Sequence, residues 1–165
     1  MPKRDRRRTI LVWAGYILLL TCVVMPLPIY KDYLVHDYKL YREARAFNQL
    51  EHPAGSSRIA FQKYLGLYVG NSNHCDYFVG ELRQYTGDSQ ANESFYADKV
   101  VDGLGVSVAI ARNGDLLGEL RQSDMPFQFD NLPVWSTSFA PARDHLYLVY
   151  IFDINFDSGW DIRCS

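Results

Sequence analysis

Four oxygen-bearing side chains, Asp153, Asn155, Asp157 and Asp161, recur at even spacing around Gly159. Oxygens at alternate positions converge on a hard cation such as Ca²⁺ when the backbone coils around it. The usual calcium loop has glycine at its sixth position and a bidentate glutamate at its twelfth. Counted from Asp153, the sixth residue here is Ser158, the seventh is Gly159 and the twelfth is Cys164. A strand explains the same spacing with fewer demands, because Phe152, Ile154 and Phe156 then fall on the opposite face. Calcium at these four residues is the one cofactor the sequence suggests, and otherwise it calls for none.

His74-Cys75-Asp76 has the composition of an activated thiol. Chain neighbours rarely face one another, however, and a cysteine held in a disulfide attacks nothing. Two cysteines far apart, Cys75 and Cys164, read as one disulfide in an oxidising compartment, while Cys22 lies in an apolar run. Glu81 and Arg83, two apart on a strand, share a face that is expected to be solvated. His36, His52, His74 and His145 show no metal-ligand spacing, and neither a nucleophile elbow nor a phosphate loop is present. Asn92-Glu93-Ser94 has the form of a glycosylation sequon, but on a predicted helix it reads as a chance match. No catalytic residue is assigned, and the chain reads as a binding protein rather than an enzyme.

The charge distribution is uneven. Residues 1–8 carry five basic side chains against Asp5, whereas the remainder is acidic although the whole chain is only −2. An acidic head argues against nucleic acid as a partner. Residues 9–27 hold no charge. Nineteen residues in a helix span about 28 Å, close to the hydrocarbon thickness of a bilayer. A basic tail before such a run orients it with the tail in the cytoplasm. The exit, Met25-Pro26-Leu27-Pro28, lacks the small residues of a signal-peptide cut, so an uncleaved single-pass anchor in the cell membrane is expected.

These features divide the chain into a cytoplasmic tail (1–8), a transmembrane helix (9–27), an amphipathic stalk helix (28–52) and an extracytoplasmic α+β domain (53–165). On the stalk, Tyr30, Tyr33, Leu34, Tyr38, Tyr41, Ala44, Phe47 and Leu50 form a stripe at helical spacing, with Lys39 and Glu43 largely off it. That stripe packs on the chain's own domain or pairs with another helix. The head, 48% hydrophobic with the rest of the chain, is predicted as a small, mostly antiparallel sheet with one helix packed on it. Strands are expected over 64–69, 75–85, 106–111, 116–120 and 145–156, with a turn over 70–73 and a tight hairpin at Asn113-Gly114. The helix is expected over 90–101, capped by 87–89, with Phe95, Val100 and Val101 inward. Residues 146–151 are apolar throughout, which suggests burial on both faces at the sheet centre. Residues 123–143 form an aromatic-rich connection bearing Phe127, Phe129 and Trp135.

A membrane helix, an amphipathic extension and a disulfide-closed α+β head resemble, in their order alone, the pilin-like architecture of bacterial envelope systems. The leader cut and early glutamate of pilins have no counterpart before Leu20. The function expected is a membrane-tethered extracytoplasmic interaction or assembly module. Its partners are the lipid bilayer and another membrane or envelope protein. The latter is met through Leu34, Tyr38 and Tyr41, or through Phe127, Phe129 and Trp135. The alternative is a membrane-anchored hydrolase or small-ligand sensor with a cleft beside residues 123–143.

Overall fold

Leu146–Asp157 (β6) runs antiparallel to His74–Gln84 (β2), and this pair is the centre of a four-stranded sheet. The computed structural model describes residues 3–24, 27–66, 74–86, 88–110, 145–159 and 161–164. Ser57–Gly66 (β1) pairs antiparallel with the outer edge of β2, and Ser107–Ile110 (β5) with that of β6, giving the order β1-β2-β6-β5. Residues 146–151 are all buried, as an apolar strand at the sheet centre should be. The fold is α+β with a small antiparallel sheet, as expected. The expected hairpin at Asn113-Gly114, the strand over 116–120, the turn over 70–73 and the aromatic connection over 123–143 lie outside the described residues.

Two elements depart from expectation for local reasons. β1 begins at Ser57 rather than at residue 64, and its register slips between Arg58 and Ala60. That bulge breaks the two-residue alternation and hides the strand's start. The helix Ser89–Tyr96 (α3) is capped by Asp88, which accepts from the Gln90 amide at 3.0 Å, but it stops at Tyr96 rather than residue 101. Val100–Val101 (β3) and Leu104–Gly105 (β4) instead form a miniature hairpin across Asp102 (φ 52°) and Gly103 (φ 85°). An Asp-Gly pair with both φ positive is a tight-turn signature, and it outweighs continuation of the helix. Val100 is consequently exposed, while Asn92 and Tyr96 are the buried residues of α3.

The helices before the sheet are Lys3–Leu19 (α1) and Leu27–Phe47 (α2), with a π-helical turn over Leu20–Val24. Thr21 Oγ1 donates to the carbonyls of Ile17 at 2.8 Å and Leu18 at 3.1 Å, where the helix changes pitch. The span 9–27 is therefore not one uninterrupted α-helix, and no helix among the described residues is long and apolar enough to cross a membrane. Every described side chain from Arg8 to Val23 is exposed.

The C-terminal half of α2 lies on one sheet face. Ala44 and Phe47 join Val79, Tyr147, Val149 and Ile151 in the main core, together with Tyr85, Tyr96, Val101 and Ile110. Full burial of a side chain such as Phe47 contributes about 1.5–3 kcal/mol. Leu65, Cys75, Tyr77 and Cys164 form a second cluster, and Leu40 packs against both.

Candidate interaction surface and its buried clamps

α2 has two opposed faces, and the inner one is unexpectedly polar. His36 is buried; its Nδ1 is hydrogen-bonded to the Tyr77 hydroxyl and its Nε2 donates to the Ser158 carbonyl at 3.3 Å. One turn on, Lys39 pairs with Glu43 at 2.7 Å and with Asp153 of β6, while its ammonium lies 4.6 Å from the Tyr77 ring centre. Burial works against the Lys39 ammonium, but hydrogen bonds to Asp153 and Glu43 win and raise its pKa. Burial pushes the Glu43 carboxyl up, and Lys39 offsets this only in part. Burial likewise raises the Tyr77 phenol, helped by the nearby Glu43, Asp153 and Asp161 carboxylates.

The segment after β6 closes over the same face. Arg163 binds Asp161 at 2.6 Å and Asp37 of α2 at 2.7 Å, and its guanidinium stacks 4.5 Å from the Tyr33 ring centre. Burial would raise the Asp161 pKa, but the Arg163 hydrogen bonds and charge hold it below the ordinary carboxylate value. The expected disulfide is present: Cys75 is joined to Cys164, with Cα atoms 4.9 Å apart. It fixes the 3₁₀ turn Ile162–Cys164 to the start of β2.

The outer face is apolar. Leu27 (56% exposed), Tyr30 (64%), Leu34 (69%), Tyr38 (66%) and Tyr41 (54%) project away from the sheet. At 100° per residue, Leu34 and Tyr38 each stand about 160° around the helix from His36. Leu27, Tyr30, Lys31, Leu34, Val35 and Tyr38 line a shallow groove along this side. The predicted stripe is thus split. Ala44 and Phe47 turn inward, Leu50 is partly buried, and Tyr30, Leu34, Tyr38 and Tyr41 stay outside. Lys39 and Glu43, placed off the packing face by the sequence, are on it because they pair with each other there and Lys39 also meets Asp153 of β6.

A second polar cluster occupies the other end of the sheet. Glu81 and Arg83 do share a face, but they are buried against each other rather than solvated. Arg58 reaches Glu81 at 3.1 Å, and Arg83 Nε donates to Ser56 Oγ at 3.0 Å, so each charge is compensated. His52 Nε2 lies 3.5 Å from Glu81, its Nδ1 is 2.7 Å from the Tyr96 hydroxyl, and that hydroxyl is 3.1 Å from the hydroxyl of Tyr147. Carboxylate, imidazole and hydroxyl stand in the order of a nucleophilic relay. The Tyr96 side chain is fully buried and its hydroxyl already shared, so no substrate reaches it. The network holds α3 and the 47–56 connection to the sheet.

No family model matches this chain, and no curated protein or solved structure does. The assignment of function therefore rests on the geometry.

The remaining sequence candidates are placed as follows. Asp153 is ion-paired with Lys39, Asp157 accepts from the Gly159 amide at 3.0 Å, and Asp161 is held by Arg163. Asp153 and Asp157 both belong to extended β6, where four residues span about 13 Å. The strand keeps these two carboxylates well separated. His74 and Asp76 lie 3.2 Å apart on one side of β2, while Cys75 points to the other, into its disulfide. Phe127, Phe129 and Trp135, and the cleft proposed beside them, lie outside the described residues. His36, Lys39, Glu43 and Arg163 went unrecognised from the sequence. The i, i+4 pair Lys39/Glu43 was a visible signal, but it is equally the mark of a solvated helix face.

Proposed function

We propose that the chain is a membrane-tethered interaction module that presents the outer face of α2 to a helix of another membrane protein. The observation that carries this reading is the opposition of two faces on one helix. The inner face is held by buried ion pairs, a disulfide-anchored tail and the core, and the outer face leaves five large apolar residues in solvent. A helix locked in this way loses little freedom on binding, so its stripe is pre-organised. Exposed tyrosine and leucine in a groove are the residue types from which interfaces draw most of their energy. Lys31 and Arg45 lie on the same exposed side, which favours a partner helix with an apolar face and acidic flanks.

The tether is part of the proposal. α1 and the π-helical turn carry exposed Ile10, Leu11, Val12, Trp13, Ile17, Leu18, Leu19, Leu20 and Val23, a surface that water does not favour. The basic residues before it would face the cytoplasm, and the Cys75–Cys164 disulfide suits an oxidising compartment on the far side. A reporter active only outside the cytoplasm, fused after Ser165, is expected to give signal, with the protein retained on membranes after alkaline washing. A photo-crosslinking residue at Tyr38 should trap a membrane protein, and Leu34→Ala/Tyr38→Ala/Tyr41→Ala should abolish association while leaving the head folded. Undiminished association of the triple variant would remove α2 as the interface.

A further inference from the structure

Four metal-ligating side chains meet where α2, β2 and the end of the chain come together. His36 Nε2 is 3.8 Å from Cys75 Sγ, and the donor atoms of His36, Cys75 and Asp161 all lie within 4.8 Å of one another. The fourth, Cys164, is bonded to Cys75. His36, Cys75, Asp161 and Cys164 are 2%, 0%, 1% and 0% exposed. Burial excludes water as a competing ligand. His36 and Cys75 are placed by α2 and β2, and Asp161 is kept beside them by Arg163, which is itself bound to Asp37 of α2.

From this we infer that the cluster is a redox-switched zinc site: reduction of the Cys75–Cys164 disulfide converts it to a two-thiolate, one-imidazole, one-carboxylate centre for a divalent ion. The reaction balances with a dithiol as reductant. Its two thiols become a disulfide, and two electrons and two protons pass to Cys75 and Cys164. One Zn²⁺ then displaces the two thiol protons, forming two Zn–S bonds, with Nε2 of His36 and a carboxylate oxygen of Asp161 completing a tetrahedron. Four protein ligands in tetrahedral array are the pattern of a structural zinc site. Two thiolates on such an ion stand about 3.8 Å apart, a separation reached by side-chain rotation at the short terminal turn.

The surroundings fit this centre in two ways. Nε2 faces the sulfurs and in the oxidised form gives its proton to the Ser158 carbonyl; ligation shifts the imidazole to the tautomer protonated at Nδ1, where the buried Tyr77 hydroxyl oxygen accepts that proton. A metal-bound histidine is characteristically oriented by a partner on its second nitrogen. A cation also stands beside the centre. Two thiolates and a carboxylate against Zn²⁺ leave one negative charge, and it faces Arg163, which is bound to Asp161 at 2.6 Å and to Asp37 at 2.7 Å.

The test uses the full chain in detergent, carrying Cys22→Ser because Cys22 is an exposed free thiol that would itself bind metal. The disulfide is reduced with a phosphine, which ligates metals weakly, and Co²⁺ is titrated as a spectroscopic stand-in for zinc. One cobalt per chain is expected, with a thiolate charge-transfer band and the intense visible bands of tetrahedral coordination, displaced by one equivalent of Zn²⁺. The oxidised protein should take up none. His36→Ala and Asp161→Asn should each weaken binding at least about 100-fold, and Tyr77→Phe about 10–100-fold. Circular dichroism of the oxidised variants checks that each still folds. The inference is overturned if the reduced chain binds no cobalt, binds it octahedrally, binds it equally well without His36, or loses its fold on reduction even with zinc present.

Discussion

Arg163 donates to the Asp37 carboxylate at 2.7 Å, joining the residue beside the disulfide to a helix 126 positions earlier in the chain. The contact makes the last turn of the protein part of the seat of α2. The cost of removing it depends on which partner is deleted. Asp37 is mostly exposed, so Asp37→Ala should destabilise by less than about 1 kcal/mol. Arg163→Ala leaves the buried Asp161 carboxylate without its cation and should cost about 2–4 kcal/mol. Urea unfolding of the two variants, compared with the parent, measures the difference.

The disulfide closes a loop between positions 89 residues apart. In the chain-entropy model such a loop contributes about 4–5 kcal/mol by restricting the unfolded state. Cys75→Ala/Cys164→Ala should lower the urea midpoint accordingly. It should also increase hydrogen exchange at the amides of Asp161 and Cys164, whose bonds to Ser158 and Asp161 depend on the anchored tail.

Lys39 sits between two acids, one of them buried Glu43. Lys39→Met strands both and is expected to destabilise by about 2–4 kcal/mol. Adding Glu43→Leu and Asp153→Asn to the same chain should recover most of that loss, because apolar packing replaces the ion pairs. A triple variant no more stable than the single one would show that the cluster holds α2 by something other than charge.

Acid sensitivity should trace in part to His52. Burial, followed by the charges of Arg83, Arg58 and Lys99, pushes its pKa down from 6.5 to about 4. The unfolded chain takes up this proton near pH 6.5, the folded chain only near pH 4. Stability from this residue is therefore fully present above about pH 6.5 and is lost as pH falls towards 4, by up to about 3 kcal/mol. His52→Gln should flatten the stability profile across that window, and thermal unfolding of both proteins at intervals of pH reads the contrast.

The parts most legible in the sequence were those where one property dominated. Residues 146–151 are apolar at every position and became the buried central strand, and two well-separated cysteines became the disulfide. The Asp102-Gly103 turn carries an equally clear signal, but it is masked in the sequence because Val100 and Val101 also suit the apolar face of the helix expected over 90–101. The inner face of α2 was not legible, because His36, Lys39 and Glu43 belong inside only when Tyr77, Asp153 and Arg163 arrive from distant strands and turns to meet them. A helical pattern ranks residues by polarity, and here tertiary pairing reverses the ranking.

The Cys75–Cys164 bond also has a mechanical meaning. Tension applied along α2 would enter the head through Asp37–Arg163 and Lys39–Asp153, contacts made at its middle rather than its end. From Arg163 the force passes through one peptide bond and one disulfide to Cys75 at the start of β2, and from Lys39 directly into β6. These are the two paired strands at the sheet centre, joined along most of their length. A pull on the stalk would thus reach both central strands together, at one end of their shared ladder, ahead of the edge strand β1 that follows α2 in the chain.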